Sequence, residues 1–102
     1  MRILTIGDVC GSIGCNTVRR ILPALKKEKN IDFTVINGEN SADGNGITPL
    51  SAEMLFACGA DVITGGNHSL RRKEVFNLME ENDFLLRPHN FQGELAGKGF
   101  CI

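Results

Sequence analysis

Acidic, amide and imidazole side chains follow three short apolar segments of this 102-residue chain. Asp8 follows the first segment, Glu39 and Asn40 follow the second, and Asn67 and His68 follow the third. Two carboxylates brought together repel each other unless one is protonated or a cation bridges them. Carboxylate and amide oxygens with one imidazole suit Mn²⁺, Fe²⁺ or Mg²⁺ better than a metal that prefers thiolates. The five residues therefore predict a divalent metal site, provided that the three segments lie side by side.

Each of these residues also has a purely structural interpretation. Asp8 and Glu39 can cap helices or accept hydrogen bonds from turn amides. Asn40 and Asn67 are ordinary turn residues that tolerate left-handed backbone conformations, and His68 can be a simple loop residue. Their joint occurrence after three successive segments favours the functional interpretation.

The apolar segments have the length and composition of buried β-strands. They are formed by Ile3, Leu4 and Ile6; by Phe33, Val35 and Ile36; by Val62 and Ile63; and by Phe84, Leu85 and Leu86. Strands that alternate with helical patterns indicate right-handed βαβ units, so we predict an α/β fold with a mainly parallel sheet. Ligands of such sheets bind at the carboxyl ends of the strands, where the polar residues lie.

Helix boundaries are predicted from capping residues and breakers. Ser12 is placed to cap the first helix, and Pro23 should kink that helix or end its first segment. Thr48 followed by proline predicts the start of the second helix, and Gly59 predicts its end. Ser69 is placed to cap a third helix.

The composition is that of a single globular domain, here residues 1–102, with 42% hydrophobic and 23% charged residues. The net charge of -1 argues against a broad nucleic-acid surface, but it leaves small phosphorylated ligands open. No apolar run approaches the length of a membrane helix, and the first residues lack the apolar region of a signal peptide. We therefore expect no membrane partner.

The cysteines are too sparse for a disulfide scaffold and form no C-x-x-C pair. They are expected to be small apolar residues in a reducing compartment, so the predicted location is the cytoplasm. Cys10 is the exception, because it lies close to the candidate site. All four are Cys10, Cys15, Cys58 and Cys101.

The residues after Gly93 have the pattern of another strand that begins as the sequence stops. A domain that ended there would have an unfinished sheet edge, so we expect the domain to be incomplete. A half-sheet can bury its open edge by dimerising, which makes a homo-oligomer a further expectation.

A dinucleotide-binding module is the weaker alternative for the glycine-rich turn after the first strand. The G-x-G-x-x-G pattern has Val9 at its first position, followed by Gly11 and Gly14. Asp8 would also face the pyrophosphate with the wrong charge. We therefore rank this interpretation behind a metal site, and we predict no nucleotide cofactor.

Several motifs together carry a family resemblance. Gly7-Asp8, Asn37-Gly38-Glu39-Asn40 and Gly66-Asn67-His68 resemble the first three metal motifs of calcineurin-like metallophosphoesterases. The fuller pattern resembles the YmdB branch of that superfamily, over essentially the whole chain. It adds Met1-Arg-Ile-Leu, Gly11-Ser12, Gly59-Ala60-Asp61 and Arg87-Pro88-x-Asn90-Phe91.

The resemblance implies a metallophosphoesterase αββα sandwich with two divalent ions, Fe or Mn in preference to Mg. It implies hydrolysis of small phosphodiesters, 2′,3′-cyclic nucleotides among them. By that analogy Asp8 binds the first metal and Glu39 bridges both, while Asn40 and Asn67 bind the second metal or its phosphate. His68 would be the general acid that protonates the leaving oxygen.

Two features depart from the family pattern. Family members continue beyond this length, and three later histidines complete their metal sites; His89 does not match those motifs. The residues after His68 (Ser69, Leu70 and Arg71) replace the expected Trp-Asp. A non-catalytic half-domain that binds a metal, a nucleotide or a partner chain is therefore the alternative function.

Overall fold

Three parallel strands and three α-helices form the fold of the chain. The computed structural model describes residues 1–102. The strands are β1 (Ile3–Ile6), β2 (Phe33–Asn37) and β3 (Val62–Thr64), in the spatial order β1-β2-β3. The helices are α1 (Gly11–Lys29), α2 (Pro49–Cys58) and α3 (Phe76–Glu81), and the 3₁₀ turn Lys73–Val75 leads into α3. The predicted α/β class with a parallel sheet is confirmed.

One face of the sheet carries the hydrophobic core. Ile36 and Ile63 are fully buried on this face, where they join Leu22 of α1 and Leu55 of α2 in one cluster. Because side chains alternate along a strand, the residues next to Ile36 and Ile63 in each strand point to the opposite face of the sheet. There Ile3 keeps 58% of its surface exposed. The opposite face is therefore exposed at β1, whereas Val62 of β3 is buried on it.

The predicted ends of α2 are confirmed. The Thr48 hydroxyl accepts a hydrogen bond from the Ser51 backbone N–H, and the Ser51 side chain accepts one from the Thr48 N–H. This reciprocal pair satisfies two of the amides that a helix start leaves open. At the other end Gly59 adopts a φ of 127°, and its N–H returns to the carbonyls of the last turn.

The capping roles predicted for Ser12 and Ser69 are wrong. Helix α1 begins at Gly11 with Cys10 as its N-cap residue, and no side chain caps it. The Ser69 hydroxyl accepts a hydrogen bond from the Gly66 backbone N–H at 2.7 Å, so it closes a local turn instead. The third helical segment starts four residues later, as the 3₁₀ turn.

Pro23 does not end the first helix, which continues through it to Lys29. Proline lacks the N–H that would bond one turn back, but the ring lies on an exposed part of the helix, where water can solvate the unpaired carbonyl. Helix α1 ends at Asn30, whose left-handed conformation directs its N–H to the carbonyls of Lys26 and Lys27.

The predicted fourth strand is reduced to isolated bridges. Leu85 pairs with Ile63, and Leu86 pairs with Lys98, both in parallel orientation, but no continuous strand forms. Leu85 nevertheless packs into the core and is 1% exposed.

None of the helices has the length and apolar character needed to cross a membrane.

Candidate functional site

The parallel sheet brings the predicted site residues to one edge. Ile6 of β1 pairs with Ile36 of β2, and Asn37 of β2 pairs with Thr64 of β3, so the three strands end side by side. The segments that leave these ends carry all five predicted residues. Backbone hydrogen bonds hold the segments after the strands together. The Val9 N–H, for example, donates to the Asn37 carbonyl at 3.1 Å.

A chain of hydrogen bonds joins three of the site residues. The Asn40 Nδ2 group donates to Asp8 Oδ1 at 2.7 Å, and Asn40 Oδ1 contacts His68 Nδ1. A carboxylate can only accept, so the amide nitrogen of Asn40 faces Asp8 and its oxygen faces the imidazole. This orientation assigns the proton of the neutral imidazole to Nδ1. The Nε2 atom of His68 remains available for a substrate.

Glu39 joins the same cluster through the backbone. Its Oε2 atom accepts a hydrogen bond from the His68 N–H at 3.0 Å, which ties the β2 exit to the β3 exit. The carboxylate lies so close to Gly66 that any side chain there would collide with it. A glycine at this position is therefore needed for Glu39 to reach the site.

The loop that follows β2 is fixed to the start of α1. The Asn40 carbonyl accepts hydrogen bonds from the N–H groups of Gly11 at 2.9 Å and Gly44 at 3.0 Å. Asp8 has a φ of 39°, a left-handed conformation that is uncommon for a residue with a side chain. The backbone thus holds Asp8 and Asn40 in place before any ligand binds.

Asn67 and His89 do not join this network. Asn67 is exposed, and no hydrogen bond links its side chain to the other four residues. His89 packs edge-on against Phe100, with the ring centroids 5.6 Å apart, in the segment after Pro88. The site prediction for Asn67 is thus supported only by its position beside His68.

The donor chemistry of the cluster fits a divalent cation. Asp8 and Glu39 are carboxylates of one hydrogen-bonded cluster, and neither belongs to any of the ion pairs in the structure. Oxygen donors without a basic partner are typical of sites for hard cations. The set is small, however, because no three His, Cys, Asp or Glu side chains are placed to hold one ion together.

Sequence reasoning missed two residues that support the site. The buried Ser69 hydroxyl accepts from the Gly66 N–H and so closes the turn that contains Asn67 and His68. Arg72 donates from Nε to the Asn45 carbonyl at 2.9 Å and pairs with Asp43 at 3.8 Å. These bonds fasten the loop after Asn40 to the segment after His68. Both residues bind backbone or loop groups, which no spacing in the sequence indicates.

The four cysteines differ in burial, and Cys101 is half-buried. Cys10 is exposed at the start of α1, two residues after Asp8. Cys15 and Cys58 are buried, and burial raises the pKa of both thiols above the ordinary value of 9.0. The prediction of small buried residues therefore holds for Cys15 and Cys58.

The fold and the site define the class as an α/β protein with an acidic, amide and imidazole cluster at the carboxyl edge of a parallel sheet. The chain belongs to the YmdB-like protein family, whose model matches residues 4–102. The resemblance inferred from the metal motifs is therefore confirmed at the level of the family.

Relatives with names or structures point the same way. The chain is 46% identical over 99 residues to the 2′,3′-cyclic-nucleotide 2′-phosphodiesterase of Bacillus subtilis, covering 97% of this chain and 38% of that protein. A hypothetical protein from Thermus thermophilus superposes with a TM-score of 0.91 at 38% identity, covering 99% of this chain and 39% of that chain. A phosphatase from Mycoplasma pneumoniae superposes with a TM-score of 0.86 at 29% identity, covering 95% and 36%. The chain thus spans about two fifths of the length of these relatives.

Proposed function

We propose that this chain provides part of the active site of a metal-dependent phosphodiesterase. The substrates are small phosphodiesters, 2′,3′-cyclic nucleotides among them. The hydrogen-bonded series Asp8–Asn40–His68 is the observation that carries the proposal. It joins a carboxylate that can bind a metal ion to an oriented imidazole. The name of the Bacillus subtilis relative supports the substrate class.

Two divalent ions would be held by the side chains at the strand ends. Asp8 and Glu39 supply carboxylate oxygens, and Asn40 and Asn67 supply amide oxygens. Fe and Mn suit these donors, and Mg is the further candidate. Divalent ions at such a site supply Lewis acidity and neutralise the charge of the phosphate. The remaining donors would have to come from outside this cluster.

His68 is the proposed general acid. With Nδ1 held by Asn40, Nε2 is the atom that carries a proton to the leaving oxygen when the ring is protonated. Histidine is the side chain that most often serves as a general acid or base. Asn40 in turn is held by the Asp8 carboxylate, so the imidazole is oriented before the substrate binds.

The test is hydrolysis of bis-p-nitrophenyl phosphate by the metal-free chain after Mn²⁺ is added. His68→Ala should lower turnover by about 10²- to 10⁴-fold, the usual contribution of a general acid. The matched control is His89→Ala, which removes the other histidine and should leave turnover unchanged. Equal losses in both variants would refute the assignment of His68.

The second candidate is a non-catalytic half-domain that binds a metal, a nucleotide or a partner chain. The small donor set favours it, because no three titratable ligands are placed around one ion. The same assay separates the two candidates. A folded chain that shows no turnover with Mn²⁺, Fe²⁺ or Mg²⁺ would support the half-domain and contradict an active site assembled by these residues alone.

A further inference from the structure

Asn37 is the last residue of β2, and it lies where β2 and β3 end side by side. It pairs with Thr64, the last residue of β3. Asparagine is depleted in β-strands, and its short polar side chain competes with the backbone ladder for hydrogen bonds. An asparagine at this position is therefore expected to make contacts that offset its low strand propensity.

The side-chain amide of Asn37 bonds to the segment after β2 (residues 38–41) and to the segment after β3 (residues 65–69). Its Nδ2 group donates to the Gly65 carbonyl at 3.3 Å, and its Oδ1 atom accepts from the Glu39 N–H at 3.3 Å. A carbonyl can only accept and an N–H can only donate, so these two partners determine which end of the amide faces which segment. One side chain thus joins the two segments.

Both bonds lie next to the narrow space that holds the Glu39 carboxylate. That carboxylate lies against Gly66, where a Cβ atom would collide with it, and it accepts a hydrogen bond from the His68 N–H at 3.0 Å. Gly65 directly precedes Gly66, and the Glu39 N–H belongs to the residue whose carboxylate occupies the space. A shift of either segment would therefore move the carboxylate relative to the His68 N–H.

The backbone ladder between the two strands does not extend into these segments. Its last hydrogen bond runs from the Gly38 N–H to the Thr64 carbonyl at 3.0 Å. Beyond this bond, the hydrogen bonds between the two segments involve the side chains of Asn37, Glu39 and Asn40. The amide of Asn37 is the contact nearest to the strand ends, so it determines the spacing from which the other two begin.

We propose that Asn37 is a positioning residue of the candidate site, which holds the Glu39 carboxylate in place by joining the two segments. This role rests on the proposed function, in which Glu39 is a metal ligand. Asn37 acts on the ion through Glu39, since its own amide bonds to the backbone of the two segments. Groups that orient a metal ligand in this way commonly contribute about 10- to 100-fold to metal affinity.

Amide proton exchange of His68, measured by NMR on the 102-residue chain, tests the position of Glu39 without any metal. Asn37→Ala should make the His68 N–H exchange about 3- to 10-fold faster, which corresponds to the loss of one hydrogen bond. The Ile63 N–H donates to the Phe84 carbonyl in the core and reports on the whole fold. Its exchange rate should change less than that of His68.

Titration calorimetry with Mn²⁺ measures the consequence for the metal. Asn37→Ala should weaken Mn²⁺ binding at least about tenfold, the usual minimum when a group that orients a ligand is removed. Asn37→Ser is the conservative variant, because its hydroxyl can still accept from the Glu39 N–H, as serine does in turns. It should recover part of the affinity that Asn37→Ala loses.

Asn82→Ala is the matched control. The Asn82 Oδ1 atom accepts from the Phe84 N–H at 2.9 Å, which is the same two-residue spacing as from Asn37 to Glu39. Asn82 precedes the segment of Leu85, which runs parallel to β3, so it lies at the edge of the sheet opposite the site. This variant should leave His68 exchange and Mn²⁺ affinity unchanged.

The proposal fails on any of three results. Equal His68 exchange in Asn37→Ala and in the original chain would show that Asn37 does not hold Glu39. Exchange that accelerates equally at His68 and Ile63 would show that the amide only stabilises the fold. The third is an equal loss of Mn²⁺ affinity in Asn82→Ala. A chain that binds no Mn²⁺ would refute the proposed metal site, whereas the exchange rates decide the role of Asn37 on their own.

Discussion

Asn40 is the residue on which the geometry of the site depends, because its amide contacts a carboxylate on one side and an imidazole on the other. Asn40→Ala should release the ring, so that the neutral imidazole of His68 samples both tautomers. The ¹⁵N chemical shifts of the ring measure the tautomer ratio directly. We expect a single Nδ1–H form in the original chain and a mixture in the variant.

Asn67→Ala is the matched control for this experiment, since Asn67 is exposed and makes no hydrogen bond with the cluster. It should leave the tautomer ratio unchanged. A mixture of tautomers already present in the unsubstituted chain would contradict the orientation assigned to Asn40.

The buried thiols predict a loss of stability at alkaline pH. Burial raises the pKa of Cys15 and Cys58 in the folded chain, so folding opposes their ionisation. Below the ordinary pKa of 9.0 both thiols are neutral in both states, and their contribution to stability is fully present. Above it the unfolded state releases protons first, so the free energy of unfolding falls as pH rises.

Urea unfolding at about pH 8 and pH 10, on either side of the ordinary thiol pKa, measures this loss. Cys15→Ala should reduce the difference between the two pH values, and Cys10→Ser, at an exposed position, should not. Equal pH dependence in all three proteins would exclude the buried thiol as its cause. In the folded chain at pH 8, Cys10 should also react with a thiol reagent long before Cys15 does.

The sequence indicated which residue types meet, but not how they are oriented. Parallel strand ends predict the gathering of Asp8, Glu39 and His68, since the exits of neighbouring strands lie at one edge. The direction of the Asn40 amide depends on which groups it contacts across the loops, and the absence of a hydrogen bond between Asn67 and the cluster is likewise not readable from spacing. Such contacts depend on tertiary packing, which the spacing of residues along the chain does not indicate.

At the scale of elements, Pro23 is the local feature that conflicts with the fold around it. Inside α1 it removes the N–H that would bond to the Arg19 carbonyl. Pro23→Ala should raise the free energy of unfolding by about 1–2 kcal/mol, because the full helix penalty of about 3 kcal/mol is partly offset by the stiffness of proline in the unfolded chain. Chemical denaturation gives the value.

Ala24→Gly is the matched control on the neighbouring exposed position, and it should lower the free energy of unfolding by about 1 kcal/mol. A Pro23→Ala variant that is less stable than the original chain would show that the proline packs favourably in α1. The carbonyl of Arg19 would then not be the source of strain.

The success of helix prediction followed the strength of the local signal. Thr48 before a proline combines two starting signals, and the helix begins there. Ser12 and Ser69 each offered only one capping signal, and neither caps a helix because contacts with other segments determine the local structure. The Ser69 hydroxyl accepts a hydrogen bond from the Gly66 N–H, and the Gly11 N–H at the start of α1 donates to the Asn40 carbonyl. The short Phe84–Leu86 segment fails as a strand because only single residues find partners.

At the scale of the whole molecule, the chain matches about two fifths of the length of its relatives while containing one compact donor cluster. The α/β class with a parallel sheet could be predicted because the βαβ pattern is local and repeated. Whether these donors complete a metal site could not be predicted from residue spacing, because the ligands of one ion come from segments that are distant in the sequence. The number of ions that the chain holds is therefore the informative quantity.

Titration calorimetry with Mn²⁺ measures that number. Asp8, Glu39 and two amides supply too few donors to surround two five- or six-coordinate ions, so we expect any two ions bound by this chain to be held loosely, with water filling their remaining positions. Asp8→Ala and Glu39→Ala should each weaken binding at least about tenfold, since each removes a charged donor. Glu53→Ala, which removes an exposed carboxylate on α2, is the matched control. Retention of the ion in both site variants would refute the proposed ligands, whereas two tightly held ions would mean that the chain or its dimer completes the site without further donors.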